Sequence, residues 1–531
     1  MLQDVRAVAH EMAHLVRGSF GPTGDEMLLF CAPEAPLLTS SAYTIFHYAD
    51  KGSARSNPIK QLLLQTLRSL YNEVGDGVTQ LTLMLDLALT EMERLRHVQK
   101  SMHAWAMSYA ALHHRLPALY EAVLAPYFDP VSVVFEPFTR KPSTALLGAA
   151  RNIARTSLAG AFSAPAVAYL SDMTIDWIFR TVEEAAGQRL PNSSQGLAAI
   201  TALVLAQAKV RLLQLPTGNL DQSQIVRQGA YFLRNPSYAR SHDLTLGSTT
   251  QRFVLFDGSL DGGEAAVDVT VEVDSAAALG VARSLTRLAL EKYLLTLVHD
   301  HRVDLILCTG SAPVQVLDIC RRHGITCFPY VEKDDLVGLA ERTGVQYVAS
   351  VHDRITAAHV GAHAGPLRTM RVGGVLYSVF SNLPVGPGEA PSVPQLLLHG
   401  PSKGMTQQYY YAIKKALRVL HAWCEDGRSL GGGLAPEIAL ARHLHATAAK
   451  DDVAAAVLVQ ALMAGWAELQ GNLSGRCDRA SKARYGILQL SSLDHEFTGC
   501  IYAKRVLVSS PALGTIESHH LAGHAAFWSC C

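Results

Sequence analysis

Val74-Gly75-Asp76-Gly77-Val78-Thr79 stands at the head of an apolar helical run, and its reading decides the fold. Two glycines let the backbone approach a ligand closely, and a carboxylate between them suits a hydrated Mg²⁺. Thr79 adds a hydroxyl, and a helix opening there aims free N–H groups at phosphate. Turns use the same letters, so the weight of the stretch depends on what flanks it.

The flanks are those of a large globular chain. Its 531 residues bound roughly three to four domains. Lys+Arg and Asp+Glu are equal at 46 each, so no net field draws nucleic acid or an anionic membrane. Apolar residues make up 49% and charged ones 17%, which gives ample interior or subunit contact area. No apolar run reaches the length of a membrane span, and Met1-Leu2-Gln3-Asp4 does not open as a signal peptide. The expected location is therefore the cytosol. Nine cysteines form no CxxC pair and are expected to be reduced and mostly packed.

Helical periodicity covers 2–17, about 57–72, 77–96, 101–125 and most of 143–213. Between them Phe20-Gly21-Pro22-Thr23-Gly24 reads as a tight turn. Met27–Phe30, with a second strand from Leu37 to Phe46, reads as a hairpin. The middle changes character. Strands at 253–256 and 267–271 lead, through a helix at 275–299, to strand 303–308, helix 312–322, strand 325–330, helix 333–343 and strand 345–351. Such alternation indicates a parallel βαβ sheet. Strands return at 373–380 and 395–398, a helix covers 404–424, and Gly431-Gly432-Gly433 opens another.

Taken in order, these pieces resemble the group II chaperonins, the family of archaeal thermosome and eukaryotic TCP-1 ring subunits. Val8 to Gly24 is similar to that family's first helix and its L-G-P-x-G phosphate turn. Asn57-Pro58-Ile59-Lys60 stands where the family has H-P-A-A-K. Glu73 to Thr79 is similar to E-V-G-D-G-T-T, and Ala154 to Leu158 to A-x-T-S-L. Leu398-His399-Gly400-Pro401 resembles L-R-G-P, and Gly431-Gly432-Gly433 with Glu437 resembles G-G-G-A-x-E.

The resemblance implies an α+β multidomain subunit, with a helical equatorial domain, a small intermediate domain and a βαβ-containing apical domain. The implied segments are equatorial 1–127 and 428–531, intermediate 128–206 and 363–427, and apical, client-holding 207–362. It also implies ATP and Mg²⁺, with nucleotide held by Gly21, Pro22, Gly24, Asp76, Gly77, Thr79, Gly431, Gly432 and Gly433, and the metal by Asp76.

Two departures bear on chemistry. Family members carry an Asp in N-D-G on the hairpin and another in L-H-D-A-L, and both position the attacking water. The matching positions here are Ser41 and Lys415. A protonated lysine cannot orient or deprotonate water as a carboxylate does, although it can pair with a phosphate. Thr23 and Val78 also replace family residues. These losses imply nucleotide binding with impaired hydrolysis.

Such divergence resembles the Bardet–Biedl and McKusick–Kaufman chaperonin-like branch, as do Leu397 to Gly404 and Val331 to Val345. That branch implies assembly of a ciliary, BBSome-type complex, with protein clients, TCP-1-type subunits or ciliary subunits as partners. It also implies a cytoplasmic location at the centrosome or ciliary base. The alternative reading is an ATP-hydrolysing TCP-1-type subunit in which other carboxylates cover for Ser41 and Lys415.

A third reading rests on His10-Glu11-Met12-Ala13-His14, a formal HExxH with its two His on one helical face as a zinc hydrolase requires. Five letters with three fixed recur by chance among 22 histidines. Asp257, Ser259, Asp261 and Asp268 mimic an EF-hand loop but sit between strands. The Cys530-Cys531 pair has no polybasic tract before it for a lipidation signal, and His519–His524 reads as a tail. Glu517 to His524 stands where ring subunits have their last helix.

Overall fold

Several helix starts in this chain carry small polar caps. The computed structural model describes residues 2–468, except 22–23, 31–35, 52–56, 98–100, 131–132, 136–140, 185–192, 227–230, 237–249, 261–274, 365–367, 373–374, 381–382, 384–392, 433 and 449–451. The chain begins with α1 (Leu2–Val16), the hairpin β1 (Met27–Leu29) and β2 (Leu37–Thr39), and α2 (Ala42–Lys51). In α3 (Pro58–Glu73) the Asn57 side chain accepts from the Ile59 N–H and Pro58 opens the first turn. Next come α4 (Val78–Arg94), α5 (Met102–Leu124), the two-residue β3 (Asp129–Pro130), α6 (Thr144–Leu158), α7 (Ala164–Glu184) and α8 (Ser194–Arg211).

The central part contains β4 (Leu212–Leu215), β5 (Gln224–Ile225), β6 (Tyr231–Pro236), β7 (Thr250–Phe256), α9 (Ala276–His299) and β8 (Leu305–Cys308). It continues with α10 (Val314–Arg322), β9 (Thr326–Phe328), α11 (Lys333–Thr343), β10 (Val360–Ala364), β11 (Arg368–Val372), β12 (Val375–Phe380) and β13 (Leu396–His399). The described chain closes with α12 (Lys403–Asp426), β14 (Arg428–Ser429), α13 (Ala435–Thr447) and α14 (Val453–Leu462). Ser402 caps α12 by accepting from the Met405 N–H, and Gly427, at φ 71°, ends it in the left-handed conformation.

Two units result. The first takes 1–179, 189–206 and 402–531; the second takes 180–188 and 207–401. The core of the first is helical. α4 buries nearly its whole circumference, Leu81 through Leu89, and α14 buries every residue but Ala456, so these two helices lie inside while α1 and α5 cover them.

The second unit is built on a four-stranded sheet in the order β10-β7-β8-β9, parallel from β7 to β9 with β10 antiparallel at the edge. Strand alternation divides its core. Val254, Phe256, Ile306 and Cys308 pack with residues of α9 and α10, while Phe253, Leu255, Leu305 and Leu307 pack with Leu336 and Leu339 of α11. Both faces are covered, as a parallel sheet requires. Cys308, Cys320, Cys327 and Cys424 are free and buried. Among the described residues no helix is long and apolar enough to cross a membrane.

Three sequence expectations need correction. The second hairpin strand stops at Thr39, and Ala42–Lys51 is a helix, because Ala42, Ile45 and Phe46 bury at helical spacing. Val345–Val351 makes no strand; only Val348 bridges Phe256, since the buried valines there recur every three residues rather than every two. The hairpin partner β11 was absent from the expected strands. The expected strand at 267–271, the Asp261 and Asp268 of the EF-hand pattern, and the tail at 517–524 lie outside the described residues.

Candidate functional site

α3 ends at Glu73, and the chain must reverse within four residues to start α4. Gly75 and Gly77, both at φ 85°, make that reversal. Gly75 has a second reason to lack a side chain. A Cβ there would stand 2.6 Å from the Arg418 β-carbon and 3.2 Å from the Lys415 carbonyl oxygen on α12. The loop therefore lies directly on α12, and this contact brings Asp76 to Lys415.

Asp76 Oδ1 accepts the Gly77 N–H at 2.9 Å and is 3.0 Å from Lys415 Nζ. The aspartate is about half exposed, at 47%, and the lysine 25% exposed. Lys415, assigned from its sequence position to an acid's place with phosphate as its partner, thus takes the carboxylate itself. A magnesium ion does not fit Asp76 in this arrangement, because an ammonium 3.0 Å from Oδ1 already neutralises the carboxylate and repels a divalent cation from it.

Gly77 supplies no side-chain cap, so the first N–H groups of α4 have none. Thr79 and Gln80 are partly exposed there. Gln80 Nε2 donates to Glu437 Oε1 at 2.6 Å, which ties the head of α4 to the start of α13, just after the Gly431–Gly432 segment. Glu437 is 8% exposed and its Oε2 has no hydrogen-bond partner. A buried carboxylate oxygen left open beside uncapped N–H groups suits a ligand carrying both hydroxyl donors and phosphate.

The glycine turn near α1 reaches the same neighbourhood through packing. Gly21 has φ 96°, and Gly24 N–H donates to its carbonyl at 3.1 Å. A Cβ on Gly24 would strike the Ser19 carbonyl. Gly465 is flanked by Leu434, 2.8 Å from where its Cβ would be, and by the Phe20 ring at 3.2 Å, so the turn and the Gly-rich segment share one contact. Pro22 and Gly433 lie outside the described residues. Ser41 makes only local bonds: its N–H donates to Thr39 Oγ1 at 3.1 Å, and its carbonyl accepts from Ile45 in the first turn of α2.

Sequence reasoning missed Tyr71, Arg418 and Gln80. The Arg418 guanidinium lies 4.6 Å over the Tyr71 ring, which stacks on Tyr43 at 4.0 Å. Burial pushes the Tyr71 hydroxyl up, partly offset by Arg418. The available signal was the spacing of Lys415 and Arg418, which puts both cations on one helical face.

The described residues of the competing motifs have other surroundings. His10 Nδ1 is 3.0 Å from Asp86 Oδ1, while Glu11 and His14 are exposed. Among the described residues no group of three or more His, Cys, Asp or Glu is placed to hold a metal. Asp257 is taken by Lys333 at 2.9 Å and Thr309 at 3.2 Å.

Comparison with known proteins agrees with this arrangement. A model of the TCP-1/cpn60 chaperonin family matches residues 12–465. The chain is 22% identical over 436 residues to thermosome subunit alpha of Halobacterium salinarum, covering 82% of this chain and 68% of that one. It is 23% identical over 441 residues to thermosome subunit 3 of Haloferax volcanii, covering 82% and 75%. To thermosome subunit alpha of Methanothermobacter thermautotrophicus it is 20% identical over 439 residues, covering 82% and 70%. A match over most of the chain, on a multidomain fold of helices and a βαβ sheet, places it: the protein belongs to the TCP-1/cpn60 chaperonin family, on the side of the group II chaperonins.

Proposed function

We propose that this chaperonin-like protein binds nucleotide with little or no hydrolysis and serves as an assembly factor rather than an ATP-driven folding machine. The observation that carries the reading is the pair of replaced acids: Ser41 and Lys415 stand where the family positions water, and Lys415 is bound to Asp76 at 3.0 Å. Neither a serine hydroxyl nor an ammonium substitutes for a carboxylate base. Nucleotide phosphates would lie at the head of α4, near Asp76, Gly77 and Thr79. Gly21, Pro22 and Gly24, together with Gly431, Gly432 and Gly433, would close the remainder.

In this reading the equatorial domain comprises 1–127 and 428–531, the intermediate domain 128–206 and 363–427, and the apical domain 207–362, which would hold protein clients. The departures at Ser41 and Lys415, with the segments 331–345 and 397–404, support placement in the Bardet–Biedl/McKusick–Kaufman-like branch. The client would then be a ciliary, BBSome-type complex, and TCP-1-type subunits would be partners in the cytoplasm near the ciliary base.

The test is ATP binding and single-turnover hydrolysis on the full chain, beside a Ser41→Asp, Lys415→Asp double variant. Binding without hydrolysis, with turnover gained by the double variant, is the expected result. Hydrolysis by the unaltered chain would return it to the ATP-driven machines.

A further inference from the structure

Chaperonin nucleotide sites use a divalent cation, yet the carboxylate placed to hold it here already has a cation of its own. We propose that the Lys415 ammonium is a built-in substitute for the metal at Asp76, so that phosphate binding at the head of α4 is independent of divalent ions. This rests on the nucleotide reading above and deepens it.

Three features carry the inference. Asp76 Oδ1 is shared between the Gly77 N–H and Lys415 Nζ, at 2.9 and 3.0 Å, so the carboxylate's charge is already paired with an ammonium that repels a divalent cation from the same group. The pairing is built in by the backbone, because Gly75 lets the loop lie against α12 at the turn carrying Lys415 and Arg418. Finally, the local charge is already reversed. Lys415 and Arg418, one turn apart on α12, both meet the loop that carries Asp76, Lys415 through the Asp76 carboxylate and Arg418 through Gly75. Such a site attracts an anion and repels a divalent cation.

An ammonium has three donors and no acceptor. One points to Asp76, which leaves two for phosphate oxygens in the role of a metal bridging carboxylate and phosphate. The substitution differs from a metal in two ways. The cation cannot leave with the product, and it carries no inner-sphere water to be acidified. Both differences suit a bound nucleotide that persists.

Two measurements on the full chain separate this inference from the reading beneath it. The first uses a fluorescent ADP analogue, titrated in EDTA and in millimolar Mg²⁺. The unaltered chain should bind with affinities agreeing within about twofold, and Lys415→Gln should lose about tenfold in EDTA and regain it in Mg²⁺. A native chain that needs Mg²⁺ would overturn the inference while leaving nucleotide binding intact. The second measurement counts free Mn²⁺ by electron paramagnetic resonance without nucleotide. Lys415→Gln, with Lys415→Ala as a second variant, should gain a Mn²⁺ site that Asp76→Asn abolishes, and the unaltered chain should lack it. If no variant binds the ADP analogue, the nucleotide reading fails, and the Mn²⁺ result alone then decides the inference. An Asp76-dependent site in the unaltered chain, or none gained in the variants, would sink it.

Discussion

Asp76 and Asp86 lie ten residues apart at the head and in the body of one helix, and each is bound to a cation, yet they are different kinds of site. Asp86 is buried, accepting from Arg17 Nη2 at 2.8 Å and lying 3.0 Å from His10 Nδ1, and Arg17 Nε also faces the buried Glu468 at 3.3 Å. Asp76 is half exposed, on a glycine loop, with one lysine. The first is a network around two buried carboxylates in which Arg17 is nearly buried and His10 alone reaches solvent. The second faces outward beside uncapped helix N–H groups and has donors left over. Burial, rather than the presence of an ion pair, sets Asp86 apart from Asp76.

That contrast can be broken from either side. Arg17→Met takes the guanidinium away from two buried carboxylates, Asp86 and Glu468, and should cost about 3–5 kcal/mol of unfolding free energy by urea titration. A loss below about 1 kcal/mol, as for an exposed pair, would put Arg17 in the same class as Lys415. Gly75→Ala forces a side chain into a left-handed position against Arg418. It should cost about 1–3 kcal/mol in the same titration and weaken nucleotide binding with it. Arg418→Met removes the cation over the Tyr71 ring, and a decrease of about 0.5–1 kcal/mol is expected. The smallest effect belongs to the Asp76–Lys415 pair. A double-mutant cycle with Asp76→Asn and Lys415→Gln should give a coupling of about 0.2–1 kcal/mol, because the pair is open to solvent. A coupling as large as that of the Arg17 network would mean the pair is structural.

The head of α4 was legible because glycine, acid and a long apolar run are local signals. The partner of Lys415 was not. Asp76 and Lys415 come from distant parts of the chain, and their meeting depends on the absence of a side chain at Gly75, which no periodicity reports. Gln80 with Glu437 is the same case. The segment from Ala42 to Phe46 was misread for a different reason: Ala42, Ile45 and Phe46 sit at a spacing that short apolar runs share between strand and helix. The HExxH letters fall on α1, which buries Val8, Ala9, Met12, Ala13 and Val16 on its inner face and leaves His10 and His14 outside.

The packing of α14 against α4 carries a consequence for synthesis. α4 buries almost its entire surface, and part of that cover is supplied by Val453–Leu462 near the other end of the described chain. At translation rates of about 5–20 residues per second, α4 emerges from the ribosome on the order of twenty seconds to a minute before that cover exists. During that interval the part of α4 that α14 covers has no native partner, so a nascent chain of this chaperonin-family protein is itself a client for whatever protects unfinished proteins.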